Sequence, residues 1–94
     1  MEQQISNISI IIPCYNSEKT ICSVIEEING VDRLKTIKYE LILVNDGSSD
    51  NTFKIISMIA SNNKNITAID LSKNFGQHNA LMAGLRFCSG DVVV

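Results

Sequence analysis

Asp46, followed at once by Gly47, Ser48, Ser49 and Asp50, is the residue whose type and surroundings best suit chemistry. A carboxylate accepts hydrogen bonds from a heterocyclic N–H or a sugar hydroxyl, and a glycine beside it lets the backbone turn close against a ligand. The alternative is that Asp46 only caps the turn, but Ser48, Ser49 and Asp50 already supply oxygens for that purpose, with Asp50 read as a helix N-cap. A second loop, Pro13-Cys14-Tyr15-Asn16-Ser17-Glu18, offers an aromatic ring for stacking on a planar group, and either Asn16 or Ser17 suits the next helix as its cap. Glu18 has two readings: it holds ligand hydroxyls, or it rests in a first helical turn where the macrodipole stabilises an anion by a few tenths of a kcal/mol, roughly. A third loop, Lys73-Asn74-Phe75-Gly76-Gln77-His78, joins a cation, amides and a glycine at a helix start, where a phosphate can be received. His78 has no acid, second His or Cys beside it at metal-ligand spacing, so it reads as a polar helix-start residue and no metal site is complete.

These loops need a frame that brings them together, and the apolar pattern supplies one. Ile8 to Ile12, Leu41 to Val44 and Ile66 to Ile69 are short apolar runs that each stop at one of the polar loops, as buried strands do. Between them, Ile21, Val24, Ile25 and Ile28, and then Phe53, Ile56, Ile59 and Ala60, keep the spacing of a helix face. A third helix is expected to bury Ala80, Leu81, Gly84, Phe87 and Cys88, and Asp91 to Val94 opens a fourth strand. The order βαβαβαβ predicts an α/β fold with a Rossmann-like parallel sheet and right-handed crossovers. In such sheets ligands sit outside the carboxyl ends of the strands, where Asp46 falls.

Size and charge narrow the classes. Ninety-four residues make one domain, and a net charge of -2 with scattered Lys and Arg gives no basic surface for nucleic acid. No apolar stretch approaches the roughly 20 residues that span a bilayer, and no secretory signal opens the chain, so a cytoplasmic location is expected for this segment. Cys14, Cys22 and Cys88 are odd in number and lack CxxC spacing, which favours reduced thiols. Cys14 lies in a site loop, yet a small space-filling role suits it better than reactivity. A terminal Val92-Val93-Val94 without a covering helix is expected to belong to a truncated domain, and its exposed edge predicts self-association as a homodimer.

The dinucleotide-binding loop Gly-x-Gly-x-x-Gly is excluded, because the loop after the first strand contains no glycine. A phospho-receiver, which would also place an acid like Asp46 at a strand end, is disfavoured by the lack of an acidic pair there. What the motifs resemble is family-2 glycosyltransferases. Pro13-x-Tyr15-Asn16-x-Glu18, then Val44 to Thr52, then Lys73-Asn74-Phe75-Gly76-Gln77-His78 and on to Leu85, are similar in order and spacing to the N-terminal half of those enzymes. The Asn-Phe-Gly-Gln-His segment most resembles the branch that acts on polyprenyl phosphates. Two departures stand out: the usual Asp-Asp-Gly-Ser reads Asn45-Asp46-Gly47-Ser48, and the usual Asn-Glu-Glu reads Asn16-Ser17-Glu18.

The resemblance implies that residues 1–94 are the nucleotide-sugar-binding half of a truncated GT-A domain. It implies that Pro13 and Tyr15 pack near the base, Asp46 bonds to it, and Glu18 contacts ribose or its surroundings. Asn16 and Gly47 belong to the same nucleotide-binding loops, and Lys73, Asn74 and Gly76 line the donor pocket. The donor would be a UDP- or GDP-sugar and the acceptor a polyprenyl phosphate or a glycan, with inverting transfer. Mg²⁺ or Mn²⁺ is expected in the full-length parent, held by an Asp-x-Asp motif beyond Val94, so that the segment alone is expected to be inactive. Membrane attachment of the parent, at the cytoplasmic face, would come from outside the segment. The rival reading is a folded, non-catalytic fragment that self-associates through its sheet edge.

Overall fold

The computed structural model describes residues 7–31, 38–74, 76–88 and 91–93. They form β1 (Asn7–Cys14), α1 (Ile21–Asn29), β2 (Lys38–Asp46), α2 (Thr52–Asn62), β3 (Ile66–Leu71), α3 (Gln77–Leu85) and β4 (Asp91–Val93). All pairings are parallel, in the order β3-β2-β1-β4. The Rossmann-like α/β expectation is met. The chain steps outward from β1 to β3 and then returns to the other side of β1, so the crossovers leave β1 in opposite directions and open a crevice at its carboxyl end.

β2 is central and carries the core. Its side chains alternate between faces, as the pleat requires. Leu41 and Leu43 join Cys14, Ile21, Ile25, Ile56 and Ile66 in a cluster beneath α1 and α2. Ile42 and Val44 join Ile11 and Ala80 beneath α3. Both faces of the sheet are thus covered by helices, which is why β2 reads as a continuous apolar run and not as an alternating one. Gly84 lets α3 lie close: a Cβ there would stand 2.6 Å from Ile11 Cγ2.

At the amino end of the sheet, Ser9 and Glu40 are register partners, and the buried Ser9 hydroxyl donates to the Glu40 carboxylate.

Some expected positions shift. Ile21 and Ile25 are buried on α1 and Ile56 on α2, but Val24 lies at the solvent edge. Phe87 is not buried on a third helix; it is 57% exposed. The cause is local: α3 ends at Leu85, and the following N–H groups of Arg86, Phe87 and Cys88 bond to Ala83, Gly84 and Leu85, three residues back. That tighter winding carries Phe87 off the buried face. Val94 and the side chains of β4 lie outside the described residues, and with them the apolar edge expected to mediate self-association. Among the described residues no helix is long and apolar enough to cross a membrane.

Candidate functional site

The three loops that follow β1, β2 and β3 meet at the carboxyl end of the sheet. The loop after β1 is clamped to the loop after β2 by Asn16. Its N–H donates to Ser48 Oγ at 2.9 Å, and its Oδ1 accepts from the Ser49 N–H at 2.9 Å. To make both bonds Asn16 adopts φ 48, a left-handed conformation that asparagine tolerates better than most side chains. Neither Asn16 nor Ser17 caps α1 through its side chain. The Ser17 carbonyl does the work, accepting from Thr20 and Ile21, while the Ser17 hydroxyl donates to the Tyr15 carbonyl.

A second connection runs through Thr52, which is fully buried at the start of α2. The Ser17 N–H donates to Thr52 Oγ1 at 2.7 Å, and that hydroxyl donates in turn to the Asp50 carboxylate. Asp50 Oδ1 also accepts from the Thr52 N–H at 2.9 Å, but the N-cap of α2 is Asn51, whose side chain makes no cap bond, so Asp50 holds the helix start from one residue before the cap position expected of it. Desolvation pushes the Asp50 carboxyl up, but the bonds from the Thr52 hydroxyl, the Thr52 N–H and the Glu18 N–H outweigh it and hold the group below the usual carboxylate range.

The third loop joins through Gly47. This residue has φ 67, and a Cβ on it would lie 2.2 Å from Asn74 N and 2.3 Å from Lys73 C. The backbone of Lys73 and Asn74 therefore passes directly over Gly47. Gly76, at φ 94, has open space around it, and its N–H donates to Asn74 Oδ1 at 2.8 Å, which turns the loop into α3.

Between these loops is a cleft of about 280 Å³ lined by Pro13, Cys14, Tyr15, Ser17, Asp46 and Gln77. Its size falls just short of the range of small-molecule pockets, roughly 300–1,000 Å³. Asp46 is 4% exposed at the end of β2, and Tyr15 is 52% exposed at the rim. A buried carboxylate beside a free aromatic face can recognise a planar group that carries an N–H donor.

Of the residues singled out from sequence, Pro13, Tyr15 and Asp46 line this cleft. Asn16 and Gly47 hold the loops that surround it. Glu18 is half-buried in the turn before α1, Lys73, Asn74 and Gly76 are exposed on the neighbouring loop, and Phe75 lies outside the described residues. Sequence reasoning passed over Ser17 and Gln77 as lining residues. Gln77 carried a signal in its place at the first position of a helix that follows a site loop, but its approach to Asp46 depends on where α3 packs. Among the described residues no three His, Cys, Asp or Glu side chains gather into a group that could hold a metal ion by themselves.

Cys14 forms part of the cleft wall but is only 1% exposed, and its thiol donates to the Ile12 carbonyl at 3.4 Å. Burial pushes its pKa from 9.0 up to about 11. The folded chain therefore keeps a neutral thiol that the unfolded chain ionises. The stability this contributes is complete below pH 9 and is lost as pH rises toward 11, amounting to about 3 kcal/mol. Two measurements check this. Alkylation at pH 8 should modify the exposed Cys22 and leave Cys14 intact, and denaturant titrations from pH 8 to 11 should show a steeper stability loss in the native chain than in Cys14→Ala.

A family model described as glycosyl transferase family 2 matches residues 9–94. The undecaprenyl-phosphate 4-deoxy-4-formamido-L-arabinose transferase of Yersinia pestis (strain Pestoides F) is 39% identical over 95 residues, which take in 100% of this chain and 29% of that protein. Among solved structures, S. aureus TarS 1-349 in complex with UDP-GlcNAc superposes with a TM-score of 0.77 at 30% identity, covering 93% of this chain and 25% of that one. The mannosyltransferase PcManGT from Pyrobaculum calidifontis, in complex with GDP-Man and Mn2+, shares the fold with a TM-score of 0.81 at 24% identity, covering 98% of this chain and 27% of that one.

Proposed function

Since this chain belongs to glycosyl transferase family 2, and its sheet is the Rossmann-like part of a GT-A fold, we propose that it supplies the nucleotide-binding part of an enzyme that transfers a sugar from a nucleoside-diphosphate donor. The observation that carries this reading is the buried Asp46 carboxylate in a cleft shared with Tyr15. Tyr15 covers one face of the base and Asp46 accepts from a base N–H. Both contacts suit uracil or guanine, each of which has a ring N–H, and Asp46 as a full acceptor disfavours a base edge that presents only acceptors.

In the proposed reaction an acceptor oxygen attacks the anomeric carbon from the face opposite the diphosphate. The C–O bond to the diphosphate breaks, and the nucleoside diphosphate departs with the electron pair, inverting the configuration. A polyprenyl phosphate is the acceptor we favour, because the Yersinia pestis relative is named for undecaprenyl phosphate. A phosphate oxygen is already ionised near neutral pH, so such an acceptor needs no strong general base. A divalent metal, Mg²⁺ or Mn²⁺, would neutralise charge on the departing diphosphate from ligands other than the residues described here. The part of the reaction assigned to the present residues is to hold and orient the nucleoside.

Calorimetric titration of the chain with UDP and with GDP tests the reading. Binding of one of them in the absence of metal is the expected result, with weaker binding of ADP, whose base has an exocyclic amino donor but no ring N–H. Equal affinity for all three, or for none, would remove the nucleotide assignment from this cleft.

A further inference from the structure

Asn45, the residue before Asp46, is 4% exposed and bonded at both ends of its amide. Its Nδ2 donates to Asp70 Oδ1 at 2.7 Å, and its Oδ1 accepts from the Ser48 N–H at 3.3 Å. Asn45 and Asp70 are direct register partners on β2 and β3, so the first bond crosses between adjacent strands. The second reaches forward over Asp46 and Gly47 to the turn. One side chain thus ties the last sheet position before the site to the loop that leaves it. Asn45 does not line the cleft, so its effect on a ligand there passes through the turn.

We propose that Asn45 is a positioning residue for the cleft, and that it must be an amide because its partner at position 70 is a carboxylate. An amide donates and accepts at once, so it satisfies Asp70 and Ser48 together. A carboxylate at position 45 still accepts from Ser48. It then meets the Asp70 carboxylate with no proton between two oxygens at hydrogen-bond distance, and the like charges drive the side chains apart. The turn that carries Asp46 loses its anchor to β3. Exchanging the two chemistries restores the pattern: a carboxylate at 45 accepts from the Ser48 N–H and from an amide at 70. The pair is therefore defined by complementarity and not by either residue alone.

The proposal rests on the nucleotide reading for its affinity readout, so the test carries a second readout that needs no ligand. Amide hydrogen exchange at Ser48 and affinity for UDP and GDP are measured on the native chain, Asn45→Asp, Asp70→Asn and the double variant. Asn45→Asp is expected to speed Ser48 exchange and weaken nucleotide binding, each about tenfold. Asp70→Asn alone should stay near the native values, because the Asn45 amide still finds an oxygen acceptor. The double variant should return both readouts to within about threefold of native, which loss of packing alone would not produce. A double variant as impaired as Asn45→Asp, or an Asn45→Asp that matches the native chain, overturns the proposal. If the native chain binds neither nucleotide, the functional reading fails while Ser48 exchange still decides this one.

Discussion

Gly47→Ala should lower stability by about 3 kcal/mol, while the same substitution at Gly76 should cost about 1 kcal/mol. Both glycines have positive φ, 67 and 94, so each replacement carries the left-handed penalty of an L side chain. What separates them is the space around the new methyl group. At Gly47 it would stand 2.2 Å from Asn74 N and 2.3 Å from Lys73 C, whereas at Gly76 nothing lies within 4 Å. The atoms in the way are backbone, so the clash cannot be relieved by turning a side chain; the loop after β3 has to move away. For a domain of this size the difference corresponds to a melting temperature lower by about 10 °C or more. Thermal melts of the two variants side by side check the claim, and equal shifts would mean that the close approach of the two loops contributes nothing. Gly47→Ala should also weaken nucleotide binding, since the displaced loop lies beside the Asp46 turn.

Asp46→Ala should reduce nucleotide affinity by about 10- to 100-fold, the range expected for a hydrogen bond to a buried charged acceptor. Asp46 is 4% exposed and lies at the carboxyl end of the central strand, held there by register with Leu71 on β3. The strand fixes the backbone that carries the carboxylate before any ligand arrives, which reduces the ordering needed on binding. Asp46→Asn separates shape from charge. The amide keeps the volume and one acceptor, but it loses the negative charge and can turn a donor toward the base N–H, so it should fall between the native chain and Asp46→Ala. The measurement is titration with the nucleotide that binds the native chain, with circular dichroism to confirm that each variant folds. Native-like affinity in Asp46→Ala would move base recognition to another part of the cleft.

The chemistry of the cleft also explains why Cys14 is an unsuitable nucleophile despite its place in the wall. A thiol whose pKa is pushed up to about 11 carries almost no thiolate near neutral pH. Its contribution is volume, in the cleft wall and in the core cluster beneath α1 and α2. This agrees with the space-filling role read from its small size and from its loop.

Much of the architecture was legible in the chain itself. The alternation of apolar strands and amphipathic helices determined the βαβαβαβ order, the parallel sheet and the placement of Asp46 at a strand end, because those patterns depend on spacings of two to four residues. The glycine at 47 and the bond from Asp50 to the start of α2 were legible for the same reason, since turn chemistry is decided within one loop, although the N-cap itself falls one residue later, at Asn51. The pairing of Asn45 with Asp70, the close passage of Lys73 and Asn74 over Gly47, the burial of Thr52 beneath the Ser17 N–H and the entry of Gln77 into the cleft were decided only by tertiary structure. Each joins residues 25 or more positions apart, and which side chains meet at that range is set by strand register and helix packing, which no local spacing encodes. Phe87 shows the same limit at short range: its apolar character and spacing pointed inward, but the helix tightened and ended two residues before it, so the backbone turned that side chain toward solvent.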